Sequence, residues 1–434
     1  MKANLNYEFA RTAPALFEKG LMRKNTKSVL GALLKEDLVQ ENYASYPQEQ
    51  YVIDGGKFLQ CVPWPESGTY DDVCNEYIKY ANHHYPPHSH FIMDGYDDPD
   101  SVKVGEQQRR IKGNVARTII FDSQTKLSEF NKTEFFNNCK NKGKFIKIFS
   151  NKPRQVGYEV TECLGDADYD IAQAAITQVE STNNPVVLDA SDTDILAMLV
   201  ADERIKENLI IKSTAGRYKI ASLRRTLKPN VTKFILVAHA MSGCDTTSAL
   251  FRRGKTHAFK AINNEEDLSY LEAFKCRDSS HDLIASAGEK FLLQVYNAPS
   301  TSETLNDLRY TNYKKQVNKK GLTAATGLEL KALPPTSDSA KYHSYRAYYQ
   351  VQKWLGNDII SPTDWGWARS EHLIPVIKDQ AAAPDKILKL ISCGCKQGCS
   401  RNCKCRKAEL FCTILCSGCN GRDYANIENV EANA

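Results

Sequence analysis

Residues 186–194, VVLDASDTD, place a short apolar run directly before three aspartates. Such a run beside turn-forming residues is typical of a strand that is buried on both faces. Three more apolar runs lead to an aspartate: Val52-Ile53 to Asp54, Phe91-Ile92-Met93 to Asp94, and Ile235-Leu236-Val237 to Asp245. The pattern predicts four buried strands, each followed by a carboxylate.

Helical patterns separate these predicted strands between Tyr51 and Cys276, for example from Tyr70 to Tyr80 and from Ile171 to Val179. This alternation is typical of an α/β fold with a mostly parallel, twisted sheet flanked by helices. The carboxyl ends of parallel strands share one crevice, so we expect the aspartates to converge there. Converging carboxylates repel one another, which predicts either a divalent-metal site or a site of forced protonation.

The composition of the whole chain excludes several classes of protein. Its 434 residues, 42% of them apolar, suffice for two to three domains with a sizeable core. No apolar run is long enough to span a membrane and no signal-like segment follows Met1, so we expect an intracellular protein with no membrane partner. The net charge of +5 is small, but basic residues concentrate at 103–112 and 396–422.

We predict four segments along the chain. Residues 1–45 have a helical, amphipathic pattern, and residues 46–275 hold the α/β domain. Residues 276–390 form a helical extension and linker, and residues 391–424 form a small cysteine-rich module.

Seven aspartates are candidate ligands for Mg²⁺ or Mn²⁺. They are Asp54, Asp94, Asp166, Asp168, Asp192, Asp194 and Asp245. An isolated aspartate in such a position is more often a helix cap or turn residue, and we expect that role for Asp189. Seven together favour metal binding, because two ions about 4 Å apart need several carboxylates besides water and substrate oxygens.

Four stretches resemble the flap-endonuclease and XPG-type branch of the PIN-like nucleases. They are MDGYDDPDSVKVGEQQRR at 93–110, DADYD at 166–170, SDTDIL at 191–196 and SGCDTTSALFRRGKTHAFKAI at 242–262. The resemblance covers residues 50–275, about half of the chain, and the four stretches occur in the family's order.

The resemblance implies a PIN-like fold and metal ligation by the seven aspartates. It also implies that Lys103 and Arg110 are catalytic, on one helix face where they would polarise the scissile phosphate. Without the acids, a solvated basic helix face would be the better interpretation of this pair. The residues implied to contact nucleic acid are Arg109, Arg252, Arg253, Gly254 and Lys255. The family usually has glutamates at positions 166 and 168, so the shorter aspartates are expected to reach metal through water.

Eight cysteines crowd into the last segment: Cys393, Cys395, Cys399, Cys403, Cys405, Cys412, Cys416 and Cys419. Zinc prefers tetrahedral thiolate coordination, so we predict two or three structural Zn²⁺ ions rather than reduced structural cysteines. The segment resembles the tesmin-type CXC domain, which binds DNA, although one of its usual nine cysteines is missing. Lys404, Arg406 and Lys407 would then contact phosphates.

The sequence therefore predicts a nuclear, structure-directed nuclease that uses two Mg²⁺ or Mn²⁺ ions and binds nucleic acid, DNA rather than RNA. The alternative is a PIN-like nucleic-acid-binding or chromatin-associated protein that does not cleave.

Overall fold

A computed structural model describes residues 2–36, 38, 48–96, 98, 101–103, 117–127, 131–213, 216–320, 329–357, 360–388, 392–395, 398–399, 402–408, 410–412, 416–419 and 426. These residues form two compact units. One unit is Lys27–Leu236, and the other joins Met1–Thr26 to Val237–Ala434. The predicted boundaries near residues 45, 275 and 390 stay predictions.

A six-stranded sheet forms the centre of the first unit. Its strands are β3 (Gln50–Asp54), β4 (His90–Met93), β5 (Glu159–Glu162), β6 (Val186–Asp189), β7 (Leu209–Ser213) and β8 (Gly216–Lys219). Their spatial order is β5-β4-β3-β6-β7-β8, and every neighbouring pair is parallel except β7 and β8. In the register, Ile53 stands opposite both Phe91 and Asp189. The predicted α/β fold with a mostly parallel sheet is confirmed.

The helices of this unit flank the sheet. They are α1 (Ser28–Leu34), α2 (Gly55–Cys61), α3 (Tyr70–His84), α4 (Lys132–Asn137), α5 (Cys139–Phe149), α6 (Asn151–Gln155), α7 (Asp168–Ser181), α8 (Thr193–Ala201) and α9 (Ile220–Thr226). Aromatic side chains fill the space between them, with Phe58 and Phe91 at a ring-centroid distance of 4.8 Å. Such tilted ring pairs add to the free energy gained by burial.

The fourth predicted strand is wrong. Ile235, Leu236 and Val237 lie in helix α10 (Pro229–Met241), so Asp245 follows a helix and a loop. A short apolar run cannot distinguish a buried strand from a buried helix, and here the run continues through Ala238 and Ala240 at helical length.

The second unit is largely helical, as predicted for the extension. Its helices are α11 (Lys255–Asn264), α12 (His281–Val295), α13 (Leu305–Lys320), α14 (Ser337–Trp354), α15 (Asp385–Leu388) and α16 (Lys404–Lys407), with 3-10 turns at Lys2–Asn6, Ser269–Phe274, Leu330–Ala332 and Pro362–Asp364. Two short hairpins complete it, β1 (Phe17–Glu18) with β2 (Leu21–Met22) and β9 (Trp367–Arg369) with β10 (Leu373–Pro375). The helical pattern predicted for residues 1–45 is wrong for Phe17–Met22, because these residues form the first hairpin.

A buried arginine of this unit binds residues near the N-terminus through hydrogen bonds and an ion pair. Arg309 donates to the carbonyl oxygens of Leu5 and Tyr7 and forms an ion pair of 3.3 Å with Glu8. Within the described part of the chain, no helix is both long and apolar enough to cross a bilayer.

Candidate metal centre and cysteine module

Strand ends and helix starts of the sheet unit position its candidate acids. Asp54 is the last residue of β3, and Asp94 follows β4 directly. Asp168 begins α7, while Asp192 caps α8 by accepting a hydrogen bond of 2.8 Å from the Asp194 amide. Because these elements end or begin at the carboxyl edge of one parallel sheet, their carboxylates share that edge.

The carboxylates of Asp54 and Asp94 approach each other across Gly56. A Cβ atom added at Gly56 would lie 3.2 Å from an oxygen of each. Burial, followed by repulsion from Asp94 and Asp192, raises the pKa of Asp54 to about 6, although the Lys57 amide donates to it. The pocket therefore disfavours another negative charge.

The charge on Asp168 is also disfavoured by burial and by neighbouring carboxylates. Burial, and then the charges of Asp166, Asp192 and Asp194, raise the pKa of Asp168 well above its usual value, against the attraction of Lys103. Asp54 and Asp168 thus share the neighbour Asp192, which links the acids into one cluster. We call Asp54, Asp94, Asp166, Asp168, Asp192 and Asp194 the acid cluster.

Three lysines bring positive charge to the acid cluster. The Lys103 Nζ lies 2.5 Å from Asp166 and 3.5 Å from Asp168. The Lys27 Nζ lies 3.1 Å from Asp194 and 3.5 Å from Asp192.

The third lysine, Lys142, holds Asp94 at 3.3 Å. Burial alone would raise the pKa of Asp94, but Lys142 and Lys103 outweigh it and hold that pKa below its usual range. The acid cluster is thus only partly neutralised by the protein itself.

The carboxylate oxygens of the acid cluster are donors that a hard divalent cation such as Mg²⁺ prefers. Among the described residues, only cysteines bring three or more ligand atoms within 4.8 Å of one another, so no three carboxylates form a closed cage. Mg²⁺ is usually held by one or two carboxylates, with waters and phosphate oxygens completing its octahedron. Pairs such as Asp54 with Asp94 fit that mode.

Asp189 does not have the capping role predicted for it. It is buried, and its carboxylate contacts the ammonium groups of Lys57 at 2.5 Å and Lys212 at 2.9 Å and the Tyr85 hydroxyl at 3.0 Å. Burial would raise the pKa of Asp189, but the two lysines hold it below its usual range. A buried carboxylate needs such partners, so Asp189 holds the strand end together.

Several predicted residues cannot be placed in the acid cluster. Arg109 and Arg110 lie outside the described residues. Lys103 contacts the acid cluster, but it lies in a turn and not in the predicted helix. Asp245, half-buried, belongs to the other unit, and its metal ligation stays a prediction.

Four of the residues predicted to contact nucleic acid, Arg252 to Lys255, also lie in the second unit. Arg252 is exposed and forms an ion pair of 3.3 Å with Glu329, and Arg253 donates to His257. The prediction that Lys255, beside the half-buried Gly254, contacts nucleic acid is wrong. This lysine is 2% exposed and its ammonium donates to His239 inside the protein, so it does not face nucleic acid.

Sequence reasoning missed Lys27 and Lys142. Lys27 precedes α1 among ordinary polar residues, and Lys142 is one of several lysines in α5. Neither position carries a signal that distinguishes it from a solvated lysine, because the contacts with the acids arise only when distant segments meet.

The raised pKa values predict that metal binding releases protons. Because the pKa of Asp54 is about 6, this carboxyl holds a proton in much of the metal-free protein at pH 5.5, and that proton must leave when a cation binds. Calorimetric titration with Mn²⁺ in buffers of different ionisation enthalpy should show more protons released at pH 5.5, where Asp54 alone supplies about 0.8 of a proton, than at pH 8, where Asp54 supplies almost none. Below pH 6, protonation of Asp54 alone should lower affinity by up to about tenfold per pH unit, and protonation of Asp168 should add to this fall. Proton release that does not change with pH would contradict this assignment.

The eight cysteines of the last segment form a compact thiol cluster. Three overlapping sets have sulfur atoms within 4.8 Å of one another: Cys393, Cys399, Cys412 and Cys419; Cys393, Cys405, Cys412 and Cys416; and Cys393, Cys395, Cys399 and Cys403. Neighbouring Sγ atoms lie 3.5–3.8 Å apart. A tetrahedron with Zn–S bonds of about 2.3 Å has edges of about 3.8 Å, so the cluster fits zinc.

Cys393 belongs to all three sets, whereas Cys395 belongs to one. Any two ions in these sets must therefore share the Cys393 thiolate. We expect Cys393→Ser to remove more than one zinc ion per chain and Cys395→Ser at most one, as counted by native mass spectrometry. Equal losses from the two variants would contradict a shared thiolate.

Basic side chains alternate with the buried sulfurs of α16. Lys404, Arg406 and Lys407 are exposed, while Cys403 and Cys405 are buried. The buried cysteines thus position a short helix whose outer surface is positively charged.

No family model matches the chain, and no curated protein sequence matches it. Three solved bacteriophage T5 structures are similar to it. A T5 protein co-crystallised with metal ions has 11% identity and a TM-score of 0.36 over 64% of this chain and 100% of its own. A variant of T5 5′-exonuclease has 10% sequence identity and a TM-score of 0.33, over 63% of this chain and 99% of its own. The T5 flap endonuclease in a pseudo-enzyme-product complex with DNA and metal ions has 8% sequence identity and a TM-score of 0.35, over 71% of this chain and 99% of its own. TM-scores below 0.5 do not establish a common fold, so the function of this chain must be inferred from its own residues.

Proposed function

We propose that the protein is a divalent-metal-dependent nuclease that hydrolyses phosphodiesters in a structure-directed manner. The observation that supports it is the acid cluster at one sheet edge, where burial, and then repulsion between neighbouring carboxylates, raises the pKa of Asp54 and Asp168. Repulsion of this kind favours the binding of cations.

The donors available suit two Mg²⁺ or Mn²⁺ ions. Asp54 and Asp94 would contribute to one site, and Asp168, Asp192 and Asp194 to the other. When bound, such ions activate a water molecule and stabilise the leaving oxygen of a phosphodiester.

Lys103 would orient the reacting phosphate. Its ammonium lies between Asp166 and Asp168, which fix its position beside the acid cluster. A positioned cation at this place offsets the charge that develops on the phosphate during hydrolysis. Arg110 would act beside it, and Arg109 would contact the strand.

The cysteine module would hold two or three structural Zn²⁺ ions and bind the nucleic-acid backbone through Lys404, Arg406 and Lys407. Contacts of this type are phosphate contacts, so they bind without reading sequence. Arg252 and Arg253 would add contacts in the second unit. DNA in the nucleus is the substrate we expect.

One observation favours a non-catalytic nucleic-acid-binding or chromatin-associated protein instead. Lys27, Lys103 and Lys142 already contact members of the acid cluster, so ammonium groups do part of what metal ions would do. In that case the acid cluster would be a structural ion-pair network.

A panel of labelled single-stranded, flapped and duplex DNA and RNA substrates distinguishes the two functions. We expect zinc-loaded wild-type protein to cleave at least one substrate with Mg²⁺ or Mn²⁺, and Asp94→Ala to cleave none while still binding. If the wild-type protein binds these substrates but cuts none of them, the non-catalytic function is correct.

A further inference from the structure

A cavity of about 440 Å³ opens directly beside Asp94. One side is α5, and the other is formed by residues at or just after the ends of β4 and β5, including Tyr96 and Cys163. Its volume lies in the range of sites for small organic ligands, about 300–1,000 Å³. The acid cluster and this cavity therefore share Asp94 as a common wall.

The helix α5 presents a row of lysines to this cavity. Lys140, Lys144 and Lys147 all line it, at the i, i+4 and i+7 positions of one helix face, and all three are exposed. Three ammonium groups on one side attract an anion.

The acids that line the cavity do not cancel this charge. Glu162 forms an ion pair of 2.9 Å with Arg154, and Asp94 forms one of 3.3 Å with Lys142. Three lysines and two acids line the cavity, so its lining residues carry an excess of positive charge.

The interior of the cavity is less polar than its rim. Ile146, which is 3% exposed, and the Tyr96 ring contribute apolar surface. Gly143 of α5 faces Tyr96, since a Cβ atom added there would stand 3.4 Å from the Tyr96 Cβ and Cδ2 atoms. An apolar interior with a cationic rim suits a ligand that has a flat base and a phosphate.

We propose that this cavity binds one nucleotide of the nucleic-acid strand, next to the phosphate held at the acid cluster. The base lies against Tyr96 and Ile146, and its phosphate lies on the lysine row of Lys140, Lys144 and Lys147. This inference rests on the proposed function for the identity of the strand. The cavity would then set where a strand sits relative to the metal ions.

The test compares two triple variants with the same change of charge. In one, Lys140, Lys144 and Lys147 are replaced by glutamine; in the control, the exposed Lys79, Lys206 and Lys228 of the same unit are replaced by glutamine. Binding of a fluorescent oligothymidylate to zinc-loaded protein, without Mg²⁺ or Mn²⁺, is measured over a range of salt concentrations. Each lost phosphate contact lowers the slope of log affinity against log salt by about 0.7. We expect the cavity variant to lose about 0.7 from the slope, for the one phosphate on the lysine row, and the control to lose less than about 0.2.

A footprint locates the bound strand without relying on charge. Cys139 lines the cavity, while Cys61 is an exposed thiol elsewhere in the same unit. Oligothymidylate should slow the alkylation of Cys139 several-fold, as read by peptide mass spectrometry, and leave Cys61 unchanged. Inorganic phosphate at the same concentration should give little protection.

The outcomes separate this proposal from the nuclease itself. Equal slopes in the two triple variants with no protection of Cys139 would overturn the cavity assignment, even if the protein cleaves. A lower slope and protected Cys139 in a protein that cleaves nothing would support the cavity and refute the nuclease. Protection by inorganic phosphate equal to that by the oligonucleotide would overturn the role of the base.

Discussion

Asp168→Asn should lower the rate of metal-dependent phosphodiester cleavage about a thousandfold, equivalent to about 4 kcal/mol of transition-state stabilisation. The substitution keeps the shape of the side chain but removes the charge that a divalent ion needs. Burial, and then its acidic neighbours, raise the pKa of Asp168 well above its usual value. A divalent ion at this carboxylate would stabilise its charged form against both effects.

Asp170→Asn is the matched control for this experiment. Asp170 lies two residues further along α7 and is exposed. The same loss of one carboxylate charge on the same helix should change cleavage less than about threefold. Binding of single-stranded DNA without Mg²⁺ or Mn²⁺ should not weaken in Asp168→Asn, because a negative charge near the phosphate has been removed. Similar rates for Asp168→Asn and the wild-type protein would show that the acid cluster is not catalytic.

Gly95→Ala should destabilise the carboxyl edge of the sheet by about 3 kcal/mol. A Cβ atom at Gly95 would lie 2.0 Å from the Cys163 carbonyl oxygen and 2.3 Å from the carbonyl carbon and oxygen of Leu164. These are backbone atoms, so the clash can be relieved only by moving the segment between β5 and α7, which carries Asp166. The Gly95 amide also donates a hydrogen bond of 2.7 Å to Gly165, and this bond would be strained.

Gly31→Ala provides the control, because the same atom is added where there is room. Its nearest contacts would be Thr193 Oγ1 at 3.8 Å and Leu196 Cδ2 at 3.9 Å, and it lies inside α1. Alanine should stabilise that helix by up to about 1 kcal/mol. Hydrogen exchange of peptides covering β4 and β5 should accelerate in Gly95→Ala only. Unchanged exchange in Gly95→Ala would mean that the close approach of the two segments is wrong.

The strands of the sheet were predictable where burial is two-sided. β3, β4 and β6 are central strands, so their apolar runs mark them clearly. β5 is an edge strand with the exposed sequence Glu159–Glu162, and it carries no apolar run. The apolar run at 235–237 was wrongly predicted to be a strand, because burial in a helix produces the same short apolar pattern.

The acid cluster was predictable because an aspartate after a buried strand depends only on local sequence. Its lysines were not, since Lys27 and Lys142 reach the acids from segments that are distant in the chain. The role of Asp189 was also missed. Whether an aspartate caps a turn or pairs with a lysine from another strand depends on the register of the sheet, which sequence does not give.

Counting Mn²⁺ ions on the zinc-loaded protein tests the central claim most directly. Calorimetry and electron paramagnetic resonance at pH 7.5 should show two bound Mn²⁺ ions per chain in the wild-type protein. Asp54→Asn and Asp168→Asn should each weaken binding at least about tenfold, because each removes a carboxylate from the acid cluster. If no Mn²⁺ binds, or if binding is the same in both variants as in the wild-type protein, the lysines alone neutralise the acid cluster and the protein is not a metal-dependent nuclease.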